Sequence, residues 1–298
     1  MNYQEMLESA LTTSAEAVEA KLNRLLPPLE GAEHRLIEAM RYSMFAGGKR
    51  LRPFLVIAGS DLFKVEKDSA LRVGAAIECI HCYSLIHDDL PSMDDDDIRR
   101  GKPTCHKEFD EATAILAGDA LQTLAFEILA DEATHGDPWV RCELVRTLAR
   151  ASGIHGMVGG QMIDLASEHE DLDLGEITRL QQLKTGALIC FAAEAGAILG
   201  KTSIHTRHLL LGYARDMGLA FQIVDDLLDQ EGDAEEMGKA AGKDAGRGKA
   251  TFVSEMGLER ARRQAEILAH QAVEHLAEFG DRAVLLKGLA DYVIRRRK

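Results

Sequence analysis

Apolar residues recur at helical spacing along almost the whole chain, and this periodicity limits the possible folds more than any other feature of the sequence. In residues 33–45, for example, Leu36, Ile37, Met40 and Met44 fall on one stripe. No stretch alternates as a half-buried strand does, and tracts rich in Ala, Leu, Glu and Arg favour helix. We therefore expect an all-α protein.

The predicted helices are separated by glycine and proline signals. The glycine pair at 47–48 stops one helix, and the next begins near Pro53. Asp68 is the expected N-cap of a long helix that reaches His87, where Pro91 disrupts it. Further helices are expected over residues 110–130, 138–151, 175–199, 206–229, 255–279 and 281–296.

One segment, residues 230–252, is polar and rich in Gly and Lys. Long glycine-rich loops within compact domains are usually functional or disordered, so we predict a lid here. No linker and no repeat of fixed period divides the 298 residues. The prediction is one domain over residues 1–298, built as a single large bundle of roughly ten helices.

Charge and cysteine usage narrow the function classes. The formal net charge of −14 would repel nucleic acid, so none is expected as a partner. The most apolar stretch, 186–200, contains Glu194 and is shorter than the roughly 20 residues that span a bilayer. Five cysteines without a disulfide framework fit a reducing compartment, and Cys79 and Cys82 are predicted to be buried packing thiols. We expect a cytoplasmic protein without stable membrane insertion.

The sequence carries two acidic clusters, each close to the end of an apolar helix. The first places six aspartates within ten residues, from Asp88 to Asp97, where they repel one another unless solvated or neutralised by cations. The second is the sequence DDLLD, in which Asp225 and Asp229 share one helix face. Oxygen-only ligands suit Mg²⁺, which often bridges carboxylates to substrate phosphates. Two such helices could face each other across a bundle core and hold several metal ions.

Basic residues lie in short, separate clusters. Both the planar fork of arginine and the mobile charge of lysine bind phosphate. One such cluster is more often a solvated surface, but beside two metal motifs the set indicates a phosphorylated ligand. Residues 242–250 are not a nucleotide-binding loop, because they have one residue too many between the outer glycines and no preceding strand. The basic residues are Lys49, Arg50, Arg52, Arg99, Arg100, Lys184, Lys239, Lys243, Arg247 and Lys249.

Seven motifs together point to a family. They are GGKRLRP at 47–53, HDDLPSMDDDDIRRGKPTCH at 87–106, AGDAL at 117–121, GGQMIDL at 159–165, LKTGAL at 183–188, FQIVDDLLD at 221–229 and GKDAGRGKATF at 242–252. With them, nearly the whole chain resembles the bacterial short-chain trans-prenyl diphosphate synthases, and most closely the farnesyl diphosphate synthases. The resemblance implies an all-helical bundle of the isoprenoid synthase type with a central active-site cavity. It also implies a magnesium-dependent condensation of isopentenyl diphosphate with dimethylallyl or geranyl diphosphate, which gives farnesyl diphosphate.

The resemblance implies a role for each matching position. Asp88, Asp94 and Asp225 would hold magnesium, as three ions with the bound diphosphate, and would carry catalysis together with Lys184. Asp89 and Asp229 would support them. The allylic diphosphate would be bound by Arg99, Lys184, Thr185, Gln222 and Lys239, with Lys243 nearby. The isopentenyl diphosphate would be bound by Gly48, Lys49, Arg52, His81 and Arg100. The resemblance further implies a homodimer.

Product length is expected to depend on Tyr83. This residue lies five positions before Asp88, about 7–8 Å back along the helix axis, on the path that a growing chain would take. In the resembling family an aromatic residue here accompanies farnesyl-length products, and smaller residues accompany longer chains. An ordinary core role for Tyr83 stays open, as does a geranylgeranyl or other product length.

Three further functions stay open at this point. A terpene cyclase also uses an aspartate-rich helix, but it does not need GGKRLRP or the second acidic cluster. A metal-dependent phosphohydrolase of the HD type would use His87 and Asp88, yet it requires more histidine ligands. A non-catalytic binding subunit is disfavoured because both acidic clusters are intact.

Overall fold

The described part of the chain folds mainly into α-helices, as the periodicity predicts. The computed structural model describes residues 3–167, 172–231 and 251–296. Its helices α1 to α14 span, in chain order, Tyr3–Leu25, His34–Met44, Leu51–Asp61, Lys67–Asp88, Cys105–Glu108, Glu111–Ala130, Pro138–Ser152, Met157–Ala166, Leu174–Gln181, Ala187–Leu199, Ile204–Glu231, Phe252–Met256, Leu258–His275 and Val284–Arg295. The expected all-α class is confirmed.

Several boundaries differ from the sequence predictions. The helix expected over 175–199 is divided, because Gln182–Gly186 forms a π-helical turn between α9 and α10. Helix α4 begins at Lys67 with Glu66 as its N-cap, so Asp68 lies in the first turn rather than at the cap. There its charge still complements the positive end of the helix dipole.

Two regions depart from α-helix in ways that no periodicity predicted. Ile98–Arg99 and Lys102–Pro103 form two short antiparallel strands, β1 and β2. Two-residue strands are too short to show any alternation of apolar residues. Near the C-terminus, Ala277–Ala283 forms a 3₁₀ segment with a kink at Gly280 before α14 begins.

Helix α10 lies at the centre of the core. Every residue from Phe191 to Leu199 is buried, and the helix packs on α3, α4, α7 and α11. A helix that is apolar on nearly all sides belongs in the interior of a protein. Helices α3 and α10 cross in backbone contact, since a Cβ added to Gly196 would lie 2.4 Å from the carbonyl carbon of Gly59.

A second, smaller apolar cluster supports the C-terminal half of α11. It joins α11 to α9, α12 and α13 through residues such as Ile177, Val224 and Phe252. The second acidic cluster is therefore held on a helix that is packed on several sides.

The five cysteines are all free. Cys79 and Cys82 are buried on α4, and burial raises the pKa of the Cys82 thiol to about 12. A buried thiol with a raised pKa is a poor nucleophile and a poor metal ligand. The prediction of packing thiols at Cys79 and Cys82 is confirmed.

Two helical stretches, Glu111–Ala130 and Leu174–Leu199, are long and apolar enough to cross a membrane by length and composition alone. No stretch was expected to be long enough to span a bilayer, and that expectation was too strict for these two stretches. Core helices of globular proteins meet the same criterion, and the apolar window of the second stretch is 61% buried within this fold. The absence of membrane insertion stays a prediction.

Candidate active site

The first acidic cluster folds back over the C-terminal end of α4. The backbone N–H of Asp94 donates to the carbonyl oxygen of Asp88 at 2.8 Å, and that of Asp96 donates to the carbonyl oxygen of Asp89 at 3.2 Å. Pro91 lies within this turn, where it cannot continue the helix. The turn therefore fixes where the carboxylates lie around the C-terminal end of α4.

Asp88 stands in an environment that penalises a bare negative charge. Burial raises the pKa of its carboxyl to about 6; Lys184 opposes this effect and Asp94 adds to it. A carboxylate that is costly to ionise alone gains from a neighbouring cation. Asp88 and Asp94 offer only oxygen ligands, and this donor set fits Mg²⁺.

Asp89 has a different partner from its neighbour. Its side chain is buried, and the Nε of Arg99 donates to both of its oxygens at 2.7 and 2.9 Å. The short strand β1 carries Arg99 into this position. Asp89 is thus fixed by an arginine, consistent with a supporting role, and the guanidinium of Arg99 is held close to the first acidic cluster.

The GGKRLRP segment is built around two glycines with positive φ, Gly47 at +92° and Gly48 at +123°. Arg100 donates a hydrogen bond to the carbonyl oxygen of Gly47. Position 48 favours glycine because of its positive φ, and a Cβ there would lie 2.8 Å from the guanidinium end of Arg100. The fold thereby brings together Gly48 and Arg100, which are far apart in sequence.

Arg52 and His81 line one cavity together. Burial lowers the pKa of His81 well below its usual value, and the nearby charges of Arg52 and Arg100 lower it further. His81 is therefore neutral at neutral pH, and its ring can still donate one hydrogen bond. The Nε of Arg52 is buried without a hydrogen-bond partner among the described residues.

The π-helical turn places Lys184 beside α8. A Cβ on Gly160 would lie 2.3 Å from the backbone nitrogen of Lys184, so the turn and α8 are in backbone contact. The Nζ of Lys184 donates to the Oδ2 of Asp164 at 2.6 Å. Asp164 was not predicted to have a role, although it lies in the motif GGQMIDL and is an acidic residue on a mostly apolar helix.

A chain of polar contacts runs from Thr185 to the second acidic cluster. The hydroxyl of Thr185 donates to the Oε1 of Gln222 at 3.2 Å, and the Nε2 of Gln222 donates to Asp225 at 3.3 Å. Asp225 also accepts a hydrogen bond from Arg296 at 2.6 Å. The predicted Thr185, Gln222 and Asp225 are therefore connected to one another.

Arg296 was not predicted to belong to the site. Its guanidinium lies 3.7 Å from the ring centroid of Phe221 and donates to the carbonyl oxygen of that residue at 2.9 Å. The only sequence signal for it is the basic run at the C-terminus, which does not indicate a partner 71 residues away.

The cavity has a volume of about 420 Å³ and lies between α4, α8 and the π-helical turn. It brings together five of the predicted substrate- and metal-binding residues: Arg52, His81, Asp88, Lys184 and Thr185. Apolar side chains complete the wall, and they include Met157, Val158, Met162 and Leu165. The cavity thus combines charged groups with an apolar surface.

Tyr83 lines the same cavity. Its side chain is buried, and its ring meets that of His87 edge to face, with the centroids 5.5 Å apart. The Nε2 of His87 lies 3.0 Å from the carbonyl oxygen of Ile115. This contact occupies the His87 nitrogen with α6 and argues against a metal-ligand role of the HD type.

Another acidic group lies outside the predicted set of metal ligands. The ligand atoms of Asp95, Asp97 and His106 all lie within 4.8 Å of one another. Asp97 is also paired with Lys107 at 2.9 Å, and both aspartates are exposed. The predicted metal ligands remain Asp88, Asp94 and Asp225.

Lys239 and Lys243, with the segment 232–250 of the predicted lid, lie outside the described residues. Lys49 is exposed beside the GGKRLRP turn, with its Nζ 5.6 Å from the ring centroid of Tyr292.

Comparison with known proteins identifies clear relatives. The family model "Polyprenyl synthetase" matches residues 33–283. The chain is 46% identical to the farnesyl diphosphate synthase of Escherichia coli K12 over the full length of both proteins, 100% of each. It is 44% identical to geranylgeranyl pyrophosphate synthase 11 of Arabidopsis thaliana, with 97% of this chain and 82% of that protein covered.

A solved structure agrees with these relatives. The FPP/GFPP synthase from Zymomonas mobilis matches with a TM-score of 0.89 and 53% identity, covering 98% of this chain and 99% of that one.

Proposed function

Since this chain belongs to the polyprenyl synthetase family, we propose that it condenses isopentenyl diphosphate head to tail with dimethylallyl or geranyl diphosphate and releases farnesyl diphosphate. The reaction also releases inorganic diphosphate. The observation that carries the proposal is a single cavity lined by a carboxylate, Asp88, by the cations Lys184 and Arg52, and by apolar side chains. The similarity to a farnesyl diphosphate synthase over the whole chain supports the same reaction.

The allylic diphosphate is assigned to the Lys184 side of the cavity. Lys184, Thr185 and Gln222 lie on the π-helical turn and α11, and Arg99 is fixed beside the end of α4. Asp88, Asp94 and Asp225 would hold magnesium, three ions with the bound diphosphate, and Lys239 would add a further charge. When bound, the metal neutralises negative charge on the departing diphosphate.

The isopentenyl diphosphate is assigned to the GGKRLRP side. Gly48 and Arg100 are in contact, while Arg52 and His81 line the cavity wall. Lys49 lies at the exposed end of the same segment. Two diphosphate groups are thereby bound by separate sets of cations, which keeps the two hydrocarbon chains at a defined distance and orientation.

The chemistry follows from this arrangement. The allylic C–O bond breaks, and the bonding electrons leave with the diphosphate, whose charge Lys184 and Arg99 help to stabilise. The double bond of isopentenyl diphosphate then forms the new bond to the allylic carbon. A proton leaves the adjacent carbon for an oxygen of the released diphosphate, and a new double bond remains. Bond cleavage leaves an allylic cation. The apolar wall of the cavity excludes water, which would otherwise capture this allylic cation.

We also propose that the active protein is a cytoplasmic homodimer. Large apolar side chains are exposed on α6 and around α8, and such groups favour an interface when they are contiguous. Outside the cavity wall these side chains are Ile115, Leu116 and Ile154. Light scattering on the purified protein tests this part, and a monomer at working concentration would contradict it.

The test of the reaction is incubation of the purified chain with geranyl and isopentenyl diphosphate and magnesium, followed by chromatography of the products. We expect a fifteen-carbon diphosphate and no product from either substrate alone. Cyclic hydrocarbon from one substrate would indicate a cyclase. Phosphate release without carbon–carbon bond formation would indicate a phosphohydrolase, and inactivity of the chain by itself would indicate a binding subunit.

A further inference from the structure

The GGKRLRP segment contains one basic residue that the proposed function does not use. The side chain of Arg50 is 1% exposed, whereas Lys49 is exposed and Arg52 lines the cavity. Burying a guanidinium is costly unless its donors are satisfied. The burial of Arg50, between the exposed Lys49 and the cavity-lining Arg52, therefore calls for an explanation.

Arg50 is held by three different helices. Its Nη1 donates to Glu78 of α4 at 2.6 Å. Its Nη2 donates to the carbonyl oxygen of Met44, at the end of α2, at 2.6 Å and to Glu19 of α1 at 3.0 Å. These contacts fix the GGKRLRP segment to the rest of the bundle.

The backbone at Arg50 is also unusual. With φ +49° and ψ +40°, it adopts the left-handed conformation, which a residue with a Cβ rarely adopts. Such a conformation persists only when the surroundings determine it. Because helix α3 begins at the next residue, this conformation sets the directions in which Lys49 and Arg52 leave the segment.

Glu78 links the GGKRLRP segment to α4, the helix that ends at Asp88. It is buried on α4, three residues before His81 and on the same face of the helix. Its negative charge also acts on Arg52 and Arg100, where it offsets the effect of burial on the pKa of each guanidinium. One carboxylate thus stands among three arginines of the same region.

We propose that Arg50 is a positioning residue for isopentenyl diphosphate. By binding Glu78 and the Met44 carbonyl, it fixes residues 47–52 so that Lys49 and Arg52 converge on one diphosphate. Arg50 itself does not contact the substrate. This inference rests on the proposed function, because that function assigns the diphosphate to Lys49 and Arg52.

The test compares Arg50→Gln and Arg50→Lys with a matched control, Arg72→Gln. Arg72 is also a buried arginine of the bundle, paired with Asp131 at 2.8 Å and bonded to Thr134 at 2.8 Å, but it does not line the cavity. We expect Arg50→Gln to raise the KM for isopentenyl diphosphate about 10- to 100-fold, the scale of a contact misplaced by about 1 Å. The KM for geranyl diphosphate and kcat should stay near their wild-type values.

The control and the conservative variant separate positioning from general stability. Arg72→Gln should lower the Tm and leave both KM values unchanged. Arg50→Lys should recover part of the affinity for isopentenyl diphosphate, because lysine restores the positive charge but not the planar guanidinium group. An unchanged KM for isopentenyl diphosphate in folded Arg50→Gln, or an equal rise for both substrates, would overturn the proposal. If Arg50→Gln does not fold, Arg50→Lys and Glu78→Gln provide the same comparison.

Calorimetry separates this inference from the reaction itself. Isopentenyl diphosphate is titrated into the wild type and into Arg50→Gln without the second substrate. Tight binding by the wild type that the variant loses supports positioning even if no condensation occurs. Equal binding by both proteins overturns it, while a wild type that condenses nothing contradicts only the proposed function.

Discussion

The two acidic clusters are built in different ways. The first lies in a turn at the end of α4, where backbone hydrogen bonds fold Asp94 onto Asp88 and a nearby arginine, Arg99, binds Asp89. The second lies within the continuous helix α11. Its Asp225 is paired with Arg296, which lies 71 residues further along the chain. The first cluster is therefore fixed by local structure and the second by tertiary contacts.

The two ion pairs also differ in how deeply their side chains are buried. The side chains of Asp89 and Arg99 are 4% and 18% exposed, while Asp225 is 45% exposed and Arg296 only 6%. A buried pair is costly to break, whereas a half-exposed carboxylate can exchange its partner at little cost. This difference fits the predicted role of Asp225 as a metal ligand and the predicted supporting role of Asp89, which is paired with Arg99.

The largest expected effect is on turnover. Asp88→Ala and Asp225→Ala should each lower kcat at least about 10²- to 10³-fold, the scale for losing one major electrostatic contact of the transition state. Steady-state kinetics at saturating magnesium measure this loss. Asp97→Ala serves as the control, because Asp97 is exposed and pairs with Lys107. Near-normal turnover of either main variant would show that only one cluster binds the metal.

The contrast between the clusters also explains what the sequence could predict. The two acidic clusters were predicted because carboxylates beside or within apolar helices are recognisable in the sequence itself, and the family resemblance implied the metal-binding roles of Asp88, Asp94 and Asp225. Arg296 and Asp164 were missed because their roles depend on contacts across 71 and 20 residues, which no local pattern encodes.

The helices show the same limit. Periodicity predicted most of the long helices and many of their boundaries, yet it merged α9 with α10, because the π-helical turn at Gln182–Gly186 keeps the helical direction. That turn packs against α8 through the contact between Gly160 and Lys184, and it orients the predicted Lys184. The roles of the site residues and the lid at 230–252 stay predictions.

A second prediction concerns the two arginines. Arg99→Ala should lower the free energy of unfolding by about 2–3 kcal/mol, since it leaves Asp89 buried without its cation. Arg296→Ala should lower it less, by about 1–2 kcal/mol, because Asp225 is partly solvated and the loss comes mainly from the contact with the Phe221 ring. Denaturant unfolding in the presence of a chelator measures both values. Equal losses in the two variants would mean that burial does not distinguish the two pairs.

A third prediction follows from the raised pKa of Asp88, about 6 in the folded protein. Because the folded state holds the proton more tightly than the unfolded chain, ionisation of Asp88 costs stability as the pH rises through about 4 to 6. Asp88→Asn should therefore stabilise the metal-free protein at pH 7 by up to about 3 kcal/mol. The gain should disappear below about pH 4, where both side chains are neutral.

The matched variant in the second cluster should have the opposite sign. Asp225→Asn removes the ion pair with Arg296 and should destabilise the protein slightly, by about 1 kcal/mol or less. Unfolding curves of both variants between pH 4 and pH 8 in a chelating buffer make the comparison. A stabilising Asp225→Asn, or an Asp88→Asn gain that does not depend on pH, would contradict it.

The smallest expected effect on rate concerns the length of the product. The cavity is lined by several residues of α4, among them Tyr83, Ser84 and Asp88, but by none of the described residues of α11. The growing chain should therefore extend along α4, away from the first cluster, until it meets the buried ring of Tyr83. Tyr83→Ala should retain turnover and shift products to twenty carbons or more, with some loss of stability from the cavity that it leaves.

The control for Tyr83→Ala is a variant of α11, the helix that carries the second acidic cluster. Phe221 is four residues before Asp225, as Tyr83 is five before Asp88, but it packs on Arg296 and does not line the cavity. Phe221→Ala should therefore leave the product at fifteen carbons even where it slows the reaction. Chromatography of the products of both variants, each with geranyl and isopentenyl diphosphate, decides the point. If folded, active Tyr83→Ala still releases only the fifteen-carbon diphosphate, or if Phe221→Ala lengthens it, the chain does not grow along α4.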